Sequence, residues 1–120
     1  CYLSGLAWRE GHISNKVVHG WARSKDRWWR RAALVSTVPL NMRSRGGSGD
    51  TKRTLAVCRF LIDDRDDMVV KAMSWALRAL IGHDRTAVVQ FLQQHESRLA
   101  ARVLREVRNK LTTGRKNPRR

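Results

Sequence analysis

The chain has 120 residues, of which 25 are Lys or Arg and 10 are Asp or Glu, so its formal net charge is +15. This length suits one domain with a modest core, and an apolar content of 42% excludes a disordered basic tail. Because the basic residues are spread along both halves of the chain, the excess charge indicates a polyanionic partner.

Membrane and metal-binding classes are disfavoured by the same sequence. No run of 18 apolar residues occurs, and the N-terminus lacks the charged-then-apolar order of a signal peptide. We therefore expect a cytoplasmic protein without a membrane partner, associated with the nucleoid if its source is bacterial. Cys1 and Cys58 are too few for a disulfide framework or a four-cysteine zinc site, and the four histidines are scattered. We expect no metal and no cofactor.

Helices account for all of the recognisable periodicity, since no segment alternates as a half-buried strand does. The predicted helices cover residues 15–23, 25–38, 51–62, 67–81, 83–94 and 97–111, with a further one at 1–8. They predict an all-α domain over residues 1–113, built from stacked antiparallel helix pairs as in HEAT-like repeats. A plain helical bundle is the alternative. The Gly- and Ser-rich segment 41–49 is expected to be a flexible loop, and the basic tail 114–120 to be disordered.

Helix ends are assigned from capping residues. Ser14, Ser24 and Ser97 are predicted N-caps, and Pro39 is expected to close the second helix. The acidic run 63–67 is interpreted as helix capping in preference to a Ca²⁺ or Mg²⁺ site, because its spacing matches no EF-hand loop.

Two adjacent tryptophans lie in the predicted helix over residues 25–38. Because neighbouring helical positions are about 100° apart, only one of the two can point fully inward. We assign Trp28 to the core with Ala32 and Val35, and Trp29 to an edge.

The helix over residues 67–81 is apolar around most of its circumference, which is typical of a central buried helix. Its one polar stripe is formed by Lys71, Ser74 and Arg78, with Trp75 at the edge of the stripe. Such a stripe is expected to face water or a ligand.

Two segments resemble a known family. WARSKDRWWRRAALVS, from Trp21 to Ser36, and VVKAMSWALRAL, from Val69 to Leu80, resemble the HEAT-like-repeat alkylpurine DNA glycosylases, also called DNA alkylation repair proteins. Together with Arg105 to Leu111 the resemblance covers about residues 14–112. It implies a curved helical stack whose concave basic face cradles duplex DNA. It also implies cleavage of the N-glycosidic bond of positively charged alkylated purines.

The resemblance also suggests roles for particular residues. Arg31 falls on the family's arginine that grips the DNA backbone, and Trp75 on one of two tryptophans that pack against the sugar of the lesion. For Trp75 the alternative is ordinary packing. The family's other tryptophan and its catalytic aspartate lie in a W-x-x-x-D motif that this sequence lacks. Glu10, near Trp8, is the local candidate for a substitute carboxylate, and a solvated glutamate is the alternative. A fragment of a longer enzyme also remains open.

The sequence thus predicts sequence-independent binding of duplex DNA, without a catalytic aspartate in this chain. The predicted phosphate-binding residues are Arg27, Arg31, Lys71, Arg78, Arg102 and Arg105. One alternative is an active N3- or N7-alkylpurine DNA glycosylase, and a second is a helical scaffold that binds an acidic protein or RNA. We also expect a homodimer through an apolar face at the N-terminal end.

Overall fold

The computed structural model describes residues 15–41 and 50–114, and these residues form helices and no strand. The predicted all-α class is confirmed. The helices are α1 (Asn15–Ala22), α2 (Arg27–Val35), α3 (Val38–Asn41), α4 (Thr51–Phe60), α5 (Asp67–Ile81), α6 (Arg85–Gln94) and α7 (Ala101–Thr113). The predictions for Glu10, the Ser14 cap, the helix over 1–8, the loop segment 42–49 and the tail 115–120 fall outside the described residues.

Helix α5 lies at the centre of this structure, as its apolar circumference predicted. It packs against α2, α3, α4, α6 and α7. Its fully or nearly fully buried apolar side chains are Val69, Ala72, Met73, Ala76, Leu77 and Leu80. The packed helices around it are consistent with a helical-repeat fold. Among the described residues no helix is long and apolar enough to cross a membrane.

Aspartates cap most of the longer helices. The caps are Asp26 (α2), Asp50 (α4), Asp66 (α5) and Asp84 (α6), each accepting a hydrogen bond from a backbone N–H of the first turn. A carboxylate suits this position because it also meets the positive end of the helix dipole. The prediction of Ser24 as the cap of α2 was wrong, since its Oγ instead accepts from the N–H of Asp26 at 3.1 Å.

The start of α7 also differs from the prediction. Ser97 does not cap it, because Arg98 and Leu99 donate their backbone N–H groups to His95 and keep Ser97 inside a turn. The helix begins at Ala101 without a side-chain cap. It ends at Gly114, which adopts the left-handed conformation at a φ of 78° that glycine tolerates best.

The predicted helix over residues 25–38 is in fact two helices. The hydroxyls of Ser36 and Thr37 donate to the carbonyls of Ala32 and Leu34, and the chain turns there. Pro39 does not close a helix. It lies in the first turn of the short α3, where its missing N–H is not needed.

Asn41 contradicts part of the predicted flexible loop. Its side chain is buried, its Nδ2 donates to Thr54 Oγ1 at 2.9 Å, and its Oδ1 accepts from the N–H of Asp50 at 2.8 Å. These bonds tie the end of α3 to the start of α4.

The assignment of Trp28 to the core was wrong. Trp28 is 55% exposed and Trp29 is 49% exposed, whereas Ala33 and Leu34 are fully buried. The inward position in the first turn of α2 is taken by Arg30, whose Nε donates to Asp64 Oδ2 at 2.8 Å. Arg30, paired with Asp64, therefore occupies the inward position for which hydrophobicity alone favoured Trp28. Trp29 was correctly placed at an edge.

Candidate functional site: a basic cleft between two helices

An open cleft of about 480 Å³ lies between α5 and α7. It is lined by Lys71, Trp75 and Arg78 from α5 and by Arg102 and Glu106 from α7. On each helix the residues are spaced three or four apart, so they lie on one face of the helix. Two members of the polar stripe predicted on α5, Lys71 and Arg78, therefore face this cleft.

Ser74, the third member of that stripe, is fully buried beneath the cleft. Its hydroxyl donates to Glu106 Oε1 at 2.7 Å and accepts from Arg78 Nε at 3.1 Å. It faces neither water nor a ligand, which corrects the prediction for this position. Its polarity is used instead to join α5 to α7.

Glu106 is a buried carboxylate at the base of the cleft, with only 2% of its surface exposed. Besides the bond from Ser74, its Oε2 accepts from Arg102 Nε at 3.3 Å. Since an unpaired buried carboxylate is costly, these partners are what allow the charge to stay inside the fold. Glu106 thereby bonds to Ser74 on α5 and to Arg102 on α7, the two helices that form the cleft.

Arg78 is partly desolvated at this site. Burial lowers the pKa of its guanidinium, the negative charge of Glu106 opposes that shift, and Arg102 adds to it. An arginine begins from so high a pKa that it keeps its charge at neutral pH. The cleft therefore presents a cation that is only partly hydrated, which favours a direct contact with an anion.

Asp67, in the first turn of α5, pairs with two cations that line the cleft. Its Oδ2 pairs with Lys71 Nζ at 3.3 Å, and its Oδ1 pairs with Arg102 Nη1 at 3.3 Å. The side chain of Asp67 is well exposed, so these two ion pairs are accessible to solvent. An incoming anion would compete with Asp67 for both cations.

A second, smaller hollow of about 200 Å³ shares two residues with the cleft and extends its basic lining. It is lined by Trp75, Arg78, Ala79 and Lys110. Lys110 donates to the carbonyl of Gly114 at 2.9 Å. Trp75 and Arg78 therefore line both cavities. Lys71 lines the cleft, and Lys110 lines the smaller hollow.

The structure brings together four of the predicted site residues and leaves three elsewhere. Lys71, Trp75, Arg78 and Arg102 line the cleft, whereas Arg27, Arg31 and Arg105 do not. Arg27 Nη1 lies 3.7 Å from Asp66 Oδ2, at the N-terminal end of α5. Arg31 is half-buried on α2, and Arg105 is exposed on α7.

The acidic run before α5 is divided among separate cations. Asp66 caps α5, as predicted for this run. Its neighbours form ion pairs that the sequence did not foresee: Asp63 with Arg98, Asp64 with Arg30, and Asp67 with Lys71 and Arg102. In residues 15–41 and 50–114 no group of three metal-ligating side chains comes together.

A family model described as "DNA alkylation repair enzyme" matches residues 6–111. The chain belongs to the DNA alkylation repair enzyme family. No curated protein and no solved structure gives a match to the chain. The matched segment of the chain contains every residue that lines the cleft.

Sequence reasoning missed three residues at or around the cleft: Glu106 lines it, Asp67 pairs with two of its cations, and Lys110 lines the neighbouring hollow. For Glu106 the pattern did hold a clue, because it lies between the buried Val103 and Val107 and four residues after Arg102. An acidic residue at the inner edge of an otherwise basic helix indicates a buried partner. The packing of α5 against α7 pairs Asp67 with Arg102 and brings Lys110 to the hollow beside Trp75, and the sequence does not show this packing.

Proposed function

We propose that this member of the DNA alkylation repair enzyme family binds duplex DNA through the cleft between α5 and α7. The observation that carries the proposal is that Lys71, Arg78 and Arg102 line one open cleft together with Trp75. Phosphate oxygens are the natural partners of clustered guanidinium and ammonium groups. The net charge of +15 supplies long-range attraction to the same polyanion.

The composition of the cleft favours contact with the DNA backbone over reading of the bases. Its polar groups are cations, which bind phosphates whatever the sequence, and two carboxylates that are already paired. Trp75 offers an aromatic surface against which a sugar or a base can pack. We therefore infer binding without sequence preference, in the compartment that holds the DNA, which is the cytoplasm and its nucleoid if the source is bacterial.

Charge reversal tests this proposal. Arg78→Glu should weaken binding of a fluorescently labelled duplex by about tenfold or more, because it removes one phosphate contact and adds a repulsive charge. Arg59→Glu is the matched control, since Arg59 is exposed on α4 and lines a different hollow, between α4 and α6. Equal losses from the two substitutions in an anisotropy titration would show that only the net charge matters.

Competition separates DNA from other polyanions. Unlabelled duplex DNA should displace the labelled duplex at lower concentration than single-stranded RNA or polyglutamate. An acidic protein or RNA as the true partner would reverse that order.

A second candidate function is removal of alkylated purines from DNA. It is favoured by the family of the chain and by the position of Trp75 beside Arg78, where an aromatic face and a cation flank the same space. The activity predicts release of 7-methylguanine or 3-methyladenine from methylated duplex DNA, with less release by Trp75→Ala. No release above the background of heat-treated protein would reject this function and leave DNA binding intact.

A further inference from the structure

Two hydrogen bonds beneath the cleft connect Glu106 through Ser74 to Arg78, and we call this chain of bonds the relay. Glu106 accepts from Ser74 Oγ at 2.7 Å, and Ser74 Oγ accepts from Arg78 Nε at 3.1 Å. A serine hydroxyl has one hydrogen to donate and two lone pairs that accept. Because Glu106 takes the hydrogen, a lone pair of Ser74 remains for Arg78. The carboxylate therefore fixes the direction of the hydroxyl, and the hydroxyl fixes the arginine.

Arg78 is held at one atom and left open at the others. Its Nε is bound to Ser74, while its two Nη groups make no hydrogen bond within the described residues. The forked end of a guanidinium is the part that binds two phosphate oxygens at once. A side chain that is fixed before binding loses less conformational freedom when the ligand arrives.

We propose that Ser74 and Glu106 are positioning residues that orient Arg78 for a phosphate in the cleft. This inference rests on the proposed DNA-binding function, and neither residue needs to touch the nucleic acid. Glu106 holds Arg102 through Nε in the same way, so one buried carboxylate sets the direction of both arginines. The need to orient Arg78 explains why a fully buried serine, Ser74, lies in an otherwise apolar part of α5.

The first test is a comparison of two buried serines. Ser74→Ala breaks the relay, whereas Ser36→Ala removes an equally buried hydroxyl that only bonds the carbonyl of Ala32 on α2. Ser74→Ala should weaken binding of duplex DNA by about threefold to tenfold, in the range of coupled neighbours. Ser36→Ala should leave binding unchanged.

A double-substitution cycle shows whether Ser74 acts through Arg78. If it does, adding Ser74→Ala to Arg78→Ala causes no further loss of affinity. A full additional loss in the double variant would overturn the inference. If Arg78→Ala weakens binding and Ser74→Ala does not, the positioning role is rejected while DNA binding stands.

A second measurement needs no DNA and keeps the two proposals apart. In ¹⁵N NMR of the free protein, the Arg78 Nε–H should exchange with solvent more slowly than that of the exposed Arg105. Ser74→Ala and Glu106→Ala should each speed its exchange, and Glu106→Gln, which keeps an oxygen acceptor for Ser74, should preserve the protection. Unchanged protection in both alanine variants would overturn the relay. Failure of the wild-type protein to bind DNA would reject the proposed function, whatever the exchange data show.

Discussion

Asp67 is the residue whose removal should improve binding. It pairs with both Lys71 and Arg102 at the mouth of the cleft, so a phosphate has to displace it. We expect Asp67→Asn to tighten binding of duplex DNA by a few-fold, because two cations are released for phosphate contacts. The same change should lower stability by about 0.3–1 kcal/mol, since a negative charge in the first turn favours the helix dipole.

Asp63→Asn is the control for that experiment. It changes the net charge equally, but Asp63 is paired with Arg98, which does not line the cleft. Equal tightening in the two variants would contradict a specific role for Asp67.

Single residues were predictable from the sequence where helical spacing alone decides their direction. Lys71, Trp75 and Arg78 follow from the period of α5, and the structure places all three along one cleft. Glu106 and Asp67 were not foreseen because each has one partner on the other helix, more than 30 residues away in sequence. The period of one helix cannot say which neighbour it meets.

At the scale of the helices, two arginines of α2 should behave differently. Arg30 pairs with the poorly exposed Asp64 and also donates to the carbonyls of Ser24 and Lys25. Arg30→Ala should lower the free energy of unfolding by about 1–3 kcal/mol, because these acceptors lose a charged donor. We expect a smaller loss for Arg27→Ala in urea denaturation, because Arg27 is more exposed and its Nη1 lies 3.7 Å from Asp66 Oδ2. A larger loss at Arg27 would show that the structural role of Arg30 is misassigned.

Helix caps should make stability depend on pH. Asp84 caps α6 through the N–H of Ala87 and also accepts from Thr51, and these bonds lower the pKa of its carboxyl. A lowered folded-state pKa stabilises the fold above the ordinary aspartate pKa of about 3.9, and this stability is lost as the pH falls through the lowered value. The melting temperatures of the wild type and Asp84→Asn should therefore converge between about pH 6 and pH 2.5. A constant difference over that range would contradict the assignment.

Helix boundaries were predicted well where an aspartate cap preceded an apolar period, as at α5 and α6. They were predicted poorly in α2 and α7, where a turn made of local backbone bonds displaced a plausible serine cap. Hydrophobicity also misplaced Trp28, because the sequence does not reveal that Arg30 has a distant acidic partner in Asp64. Aspartate caps could therefore be predicted from the local sequence, whereas the buried face of α2 could not, because it depends on tertiary contacts.

For the whole molecule, self-association through the N-terminal end stays a prediction. In the described residues Trp28 and Trp29 on α2, Val17 on α1 and Phe60 on α4 are exposed. Exposed apolar side chains favour association with a second copy. Sedimentation equilibrium should show a dimer that Trp28→Arg weakens, and a monomer at every concentration would reject the prediction.

The all-α class of the molecule was predictable because helical periods fill the sequence. The polyanionic partner that the basic charge indicates stays a prediction. The cleft itself was not predictable, since it arises from the packing of α5 against α7 and from the buried Glu106.

The most direct test of the cleft as the DNA-binding site is the slope of log affinity against log salt concentration. Each phosphate contact contributes about 0.9 to this slope for duplex DNA, so replacing Lys71, Arg78 and Arg102 with alanine should reduce its magnitude by about 2.7. Alanine at Lys16, Lys52 and Arg59, three exposed cations away from the cleft, should reduce it much less. A slope that the cleft substitutions leave unchanged, or that both sets reduce equally, would contradict the account.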